Sequence, residues 1–129
     1  MRKWLWVTLT VLLGGCSGMQ VQLERFDSTA RAYQHAIRWS DFATAYSIAY
    51  NLRTAPMPAL DALKDIQVTS YETQAAAPDA TAMHITQVVE IRYVRRNRMV
   101  ERVLMDRQAW EYSENDRRWY LTSPFPRFE

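Results

Sequence analysis

Apolar residues recur at spacings of three and four through Leu23, Phe26, Ala30, Tyr33 and Ile37. That spacing predicts one buried face of an α-helix running from about Gln22 to Arg38. Glu24, Arg31, Gln34 and Arg38 fall off the face. Ser40 and Asp41 come next, residue types whose side-chain oxygens accept from the open N–H groups at a helix start. Phe42, Ala45, Tyr46, Ala49 and Leu52 then carry a second helix until Pro56 and Pro58 break the pattern. Ala59 to Lys64 has room for one short helical turn.

From Ile66 onward the period changes and β-type residues dominate. Ile66 to Thr73 reads as a first strand and Gln74 to Ala80, with Pro78-Asp79, as a loop. Met83, Ile85, Val89, Ile91 and Tyr93 alternate along a long second strand. Arg95 to Arg98 is a polar turn, and Val100 to Tyr112 a third strand. Its alternation slips between Val100/Leu104 and Val103/Met105, which predicts a bulge or strong curvature. Glu114-Asn115-Asp116 turns the chain into a short fourth strand, Trp119 to Thr122, and Pro124 and Pro126 end the sheet. Trp110 and Trp119 are expected to pair across this last hairpin, and Phe125 and Phe128 to fold back over the sheet. The order predicts an α+β domain over 22–129, with N-terminal helices packed on a curved four-stranded antiparallel sheet.

The first residues obey a different pattern. Met1-Arg2-Lys3 is positive, and Trp4 to Leu13 is apolar apart from Thr8 and Thr10. Such a stretch is about half the roughly 20 residues that a membrane-spanning helix needs. It reads as a secretory signal segment over 1–15. Leu13-Gly14-Gly15-Cys16 resembles the lipobox of bacterial lipoproteins, in which an aliphatic residue and two small ones precede the acylated cysteine. The resemblance implies cleavage before Cys16, a lipid on that thiol, and a short tether over 16–21. Ser17, where an Asp would imply inner-membrane retention, implies the outer membrane facing the periplasm.

Removing Arg2 and Lys3 lowers Lys+Arg from 16 to 14, against 14 Asp+Glu. A neutral mature chain offers nucleic acid no bulk attraction. The single cysteine forms no intramolecular disulfide. Glycine is absent after Gly18, so Gly-rich phosphate loops and a Gly-x-Ser-x-Gly elbow are absent as well.

The helix-then-meander order resembles the NTF2-like, cystatin-like superfamily. Ala36-Ile37-Arg38-Trp39-Ser40-Asp41-Phe42 is similar to the helix break of such domains. Gln108-Ala109-Trp110-Glu111-Tyr112 followed by Arg118-Trp119-Tyr120-Leu121 is similar to their closing hairpin. The whole mature chain also resembles uncharacterised proteobacterial lipoproteins. It is shorter than full superfamily members, with no room for an extra strand between Asn51 and Ile66, which argues against a deep closed pocket.

Three sets of residues remain for chemistry. His35 and His84 belong to no ligand spacing and read as structural or solvated. Tyr33, Asp41, Tyr93 and Asp106 are the candidate pocket residues, because some NTF2-like enzymes use a carboxylate base with tyrosine donors. The bland alternative has Asp41 capping a helix and Asp106 paired with an arginine. Arg92, Arg95, Arg96, Arg98 and Arg102 surround one hairpin tip and are the candidate contact to lipid phosphate or an acidic partner; the alternative is a solvated tip balanced by Glu90 and Glu101. The expected function is a membrane-anchored, non-catalytic binding or envelope-assembly module without cofactor or metal. It is held by its lipid and contacts an envelope protein. The competing expectation is a small-ligand binder or enzyme with a pocket between helices and sheet.

Overall fold

The computed structural model describes residues 17–129. The signal segment over 1–15 and Cys16 lie outside the described residues. Two helices, α1 (Ser17–Arg38) and α2 (Phe42–Ala49), precede four strands: β1 (Ile66–Pro78), β2 (His84–Arg95), β3 (Glu101–Ser113) and β4 (Arg118–Leu121). The strands form one antiparallel sheet in the order β1-β2-β3-β4. The helices cover one face of it, as the order of elements predicts.

Helix α1 begins at Ser17, earlier than the expected Gln22, so the tether expected over 16–21 is helical from Ser17. Met19, Val21 and Leu23 remain exposed, and its buried face takes shape only with Phe26, Tyr33, Ala36 and Ile37. The helix closes in a Schellman motif. Asp41 N–H donates to Ala36 C=O at 2.8 Å and Ser40 N–H to Ile37 C=O at 2.9 Å, with Ser40 at φ 58°. Ser40 and Asp41 therefore divide the labour at the break. The Asp41 carboxylate caps α2 by accepting from Thr44 N–H. The Ser40 hydroxyl accepts from Val68 N–H of β1 at 2.9 Å. Ser40→Ala leaves that half-buried donor without its partner and should cost about 1–2 kcal/mol. Ser40→Gly should cost less, because glycine relieves the left-handed backbone. Urea-denaturation midpoints check the order.

Three expectations need correcting. Helix α2 stops at Ala49, and Leu52 is exposed. Residues 74–78 are strand, not loop: Ala75 to Pro78 pair with Val88 to Ile85 of the long β2. Alanine and glutamine have little β-propensity of their own, so the partner strand supplies the order. Bulges do occur, but in β1, between Val68/Ser70 and Thr73/Ala75. The β2–β3 register runs unshifted from Val94↔Glu101 to His84↔Glu111. The apolar slip in β3 has another cause: Val103 and Met105 lie on the outer, exposed face, while Asp106 and Gln108 take inward positions.

The core fills the space between helices and sheet. Trp110 and Trp119 are fully buried, but they are not cross-strand partners, since Trp110 faces Leu121 and Trp119 faces Tyr112. Phe26 of α1 bridges them edge-on, at 5.7 and 5.2 Å between ring centroids. The tail folds back as expected: Phe128 packs on Phe42 and Tyr93, and Phe125 on Tyr46 and Tyr50.

The run of α1 sets the polarity of the domain. Its first turns meet the β3–β4 hairpin, where Gln22 C=O accepts from the Trp119 indole and Arg25 donates to the Tyr112 hydroxyl. Its last residue, Arg38, donates to Val68 C=O, opposite Tyr93 and next to the β2–β3 turn. At 1.5 Å per residue, the helix separates Gln22 from Arg38 by about 24 Å.

Candidate functional site

Two polar residues occupy inward positions at the middle of the sheet. Gln87 of β2 and Gln108 of β3 are register partners, and both are buried. Gln87 Nε2 donates to Gln108 Oε1 at 2.7 Å, and the Trp110 indole donates to the same oxygen at 3.0 Å. Gln108 Nε2 donates to the Tyr71 hydroxyl at 3.0 Å and to Asp106 Oδ2 at 2.9 Å. The side-chain amide thus uses both ends, which fixes its orientation. The Tyr33 hydroxyl, on the helix face above, is buried with no hydrogen-bond partner.

Burial pushes the Asp106 carboxyl above the ordinary carboxylate range, and the Gln108 hydrogen bond only partly opposes this. Burial likewise raises Tyr33, Tyr50 and Tyr71, with the Asp106 charge adding to each. The phenols stay neutral donors.

A folded-state carboxyl raised above its unfolded value stabilises the fold at low pH and loses that contribution as pH rises through the folded value. Asp106→Asn keeps an oxygen for Gln108 and removes the buried charge. It should raise stability at pH 7 by about 1 kcal/mol or more, and the gap to the wild type should close as pH falls. Urea unfolding at several pH values measures it; a variant less stable at pH 7 would count against the buried charge.

Of the candidate pocket residues, the fold brings only Tyr33 and Asp106 together. Asp41 is exposed and caps α2. The Tyr93 hydroxyl is held at the far end of the sheet by the Glu129 backbone, accepting from N–H at 2.9 Å and donating to C=O at 3.0 Å. Asp106 is bonded to Gln108, not to an arginine. Tyr50, Tyr71, Gln87, Gln108 and Trp110 were not expected in this cluster. A readable sign existed for one of them: Gln87 sits in the inward register between Ile85 and Val89.

The open concavity lies elsewhere. A cleft of about 740 Å³ runs between the loop after α2 and the end of β4. Tyr46, Tyr50, Pro56 and Pro58 form one wall, and Tyr112, Tyr120 and Phe125 the other; Glu111 is its only carboxylate. Tyr46 and Tyr50 stack at 4.8 Å. The Tyr46 hydroxyl holds the loop by donating to Ala55 C=O. The Tyr50 hydroxyl donates to Ser123 C=O at 2.9 Å. Arg118 takes the Ser47 and Ile48 carbonyls at the end of α2, at 2.9 and 2.7 Å. Tyr50 therefore lines the cleft, and the Asp106 charge adds to the burial that raises its hydroxyl.

The five arginines divide. Arg95 is an internal fastener, bonded to both Asp65 carboxylate oxygens and to Phe128 C=O. Arg92 is paired with Glu90 at 2.9 Å. Arg96, Arg98 and Arg102 are exposed, and no ion pair engages them among the described residues. His84 bridges Asp79 and Glu111 on the outer face, and His35 lies against Trp39. No family model, curated protein or solved structure matches the chain.

Proposed function

We propose that this chain is a lipid-anchored module of the bacterial cell envelope that binds a protein partner through the aromatic cleft and does no chemistry of its own. One observation carries the reading: the accessible concavity and the perturbed carboxyl are separate. The cleft offers tyrosine, proline and phenylalanine surface, the composition that concentrates binding energy at interfaces. Asp106 is buried, bonded to Gln108, and absent from the cleft lining, whereas a general base must reach the proton it takes. Anchoring rests on the likeness of Leu13-Gly14-Gly15-Cys16 to a lipobox. No helix among the described residues is long and apolar enough to cross a bilayer, so in this reading the lipid does the holding. The helix pair laid on a curved meander supports assignment to the NTF2-like architecture.

Tyr120 is a half-buried cleft residue whose loss leaves the core in place. A stoichiometric partner should co-purify with the chain from detergent-solubilised envelope, and Tyr120→Ala should reduce its recovery about tenfold, the effect of roughly 1.4 kcal/mol. A chain recovered alone at native levels, or a partner indifferent to Tyr120→Ala, defeats the proposal.

The second reading is a small-ligand site at Asp106. The Tyr33 hydroxyl favours it, as a buried donor without a partner beside a carboxyl. It requires an opening to the buried Tyr33 and Asp106 side chains. A bound ligand would displace the Asp106 carboxyl carbon resonance, and a resonance unmoved across a panel of small apolar carbonyl compounds counts against it.

A further inference from the structure

The β2–β3 turn carries two kinds of exposed group together. Arg96 and Arg98 lie in the turn and Arg102 two residues into the strand edge, all without a carboxylate partner among the described residues. Met99 and Val100 are 72% and 61% exposed at the tip, and Val103 is 53% exposed beside them. Of the carboxylates nearby, Glu90 is paired with Arg92 and Asp65 with Arg95, and Glu101 accepts from the Thr69 hydroxyl. Met99 holds a left-handed backbone, φ 51°.

We propose that this tip docks on an anionic phospholipid bilayer, with Arg96, Arg98 and Arg102 on lipid phosphates and Met99 and Val100 in the headgroup boundary. Unpaired guanidiniums recognise phosphate oxygens in paired hydrogen bonds. The apolar pair between them distinguishes a lipid boundary from a wholly polar anion such as a carboxylate-bearing wall polymer. The tip stands at the end of the domain opposite the start of α1, about 33 Å away along the helix. With α1 standing on end at the anchored bilayer, the tip faces a bilayer other than the one that holds the N-terminus. That last point rests on the anchoring reading above; the docking itself does not.

The full chain, reconstituted in phosphatidylcholine vesicles, tests both. Labelled acceptor vesicles rich in phosphatidylglycerol should be captured and pure phosphatidylcholine acceptors should not. Capture should fall as salt rises from about 0.1 M to about 1 M, where screening shortens from about 10 to about 3 Å. Each arginine near an anionic surface is worth about a fivefold change in affinity. The triple change Arg96→Gln, Arg98→Gln, Arg102→Gln should thus weaken capture about a hundredfold, while lysine at all three positions should retain most of it. Met99→Ser with Val100→Ser should weaken it with the charges intact. Equal capture of neutral acceptors, indifference to the glutamine triple, or tighter sedimentation with purified peptidoglycan than with anionic vesicles overturns the proposal. If the chain fails to float with the neutral donor vesicles, anchoring fails instead. Direct sedimentation of the free chain with anionic vesicles then tests the tip by the same variants.

Discussion

Trp110→Ala is expected to remove about 3–5 kcal/mol of stability, a large share of the roughly 5–15 kcal/mol that holds a domain folded. Three contacts converge on this ring. Phe26 and Tyr33 of α1 meet it edge-on at 5.7 and 5.6 Å, and its indole N–H donates to Gln108 at 3.0 Å. Alanine empties the place where helix, sheet and polar cluster join. Trp110→Phe should lose far less, about 1–2 kcal/mol, because a ring remains and mainly the N–H bond goes. Trp39→Ala, at a tryptophan 67% exposed, should stay within about 0.5 kcal/mol. Denaturant unfolding ranks the three, and a Trp110→Ala effect no larger than that of Trp39→Ala would refute the packing account.

Cys16→Ser should abolish lipid labelling and release the chain from the membrane fraction. A serine hydroxyl does not replace the thiol that receives the diacylglycerol in the lipobox resemblance. The effect is large because each buried CH₂ of an acyl chain contributes about 0.8 kcal/mol, and two or three chains exceed what stable attachment requires. Palmitate labelling and fractionation of envelope from soluble contents measure it. A variant that is processed yet stays with the membrane refutes lipid anchoring. A variant that is neither labelled nor processed, and remains attached through Trp4 to Leu13, shows the lipid step to be upstream of release.

Much of the fold was legible because periodicity reports burial. The three-and-four spacing through Phe26, Tyr33 and Ile37 and the alternation through Ile85, Val89, Ile91 and Tyr93 each identify the buried face found here. Element ends were harder. No three-and-four apolar spacing marks residues 17–21 as helix, since Met19 and Val21 are exposed and face no core. Residues 74–78 are strand only because β2 pairs with them. In β3 the apolar pair Val103 and Met105 points outward and Asp106 and Gln108 inward, so hydrophobicity alone misreads it.

The candidate site was legible in part. Asp106 and Tyr33 stand out by residue type, but their meeting depends on α1 crossing β3. Tyr50 and Tyr71 join from elements whose placement no local pattern encodes. Asp41 and Tyr93 share the same chemistry and are bound by local tasks, a helix cap and a tail clasp. Among the arginines, only the tertiary fold shows that Arg95 fastens the tail and Arg92 is paired.

The two bulges of β1 have a consequence for crowding. β1 is an edge strand, and an even edge offers its open N–H and C=O groups as a template to a second copy. Breaks in register at Val68/Ser70 and Thr73/Ala75, and the missing donor of Pro78, interrupt that row three times along one strand. Proteins confined to a surface meet one another far more often than in solution. In the lipid-anchored state proposed above, a hairpin that resists zipping with its neighbour would let many copies share a membrane without aggregating.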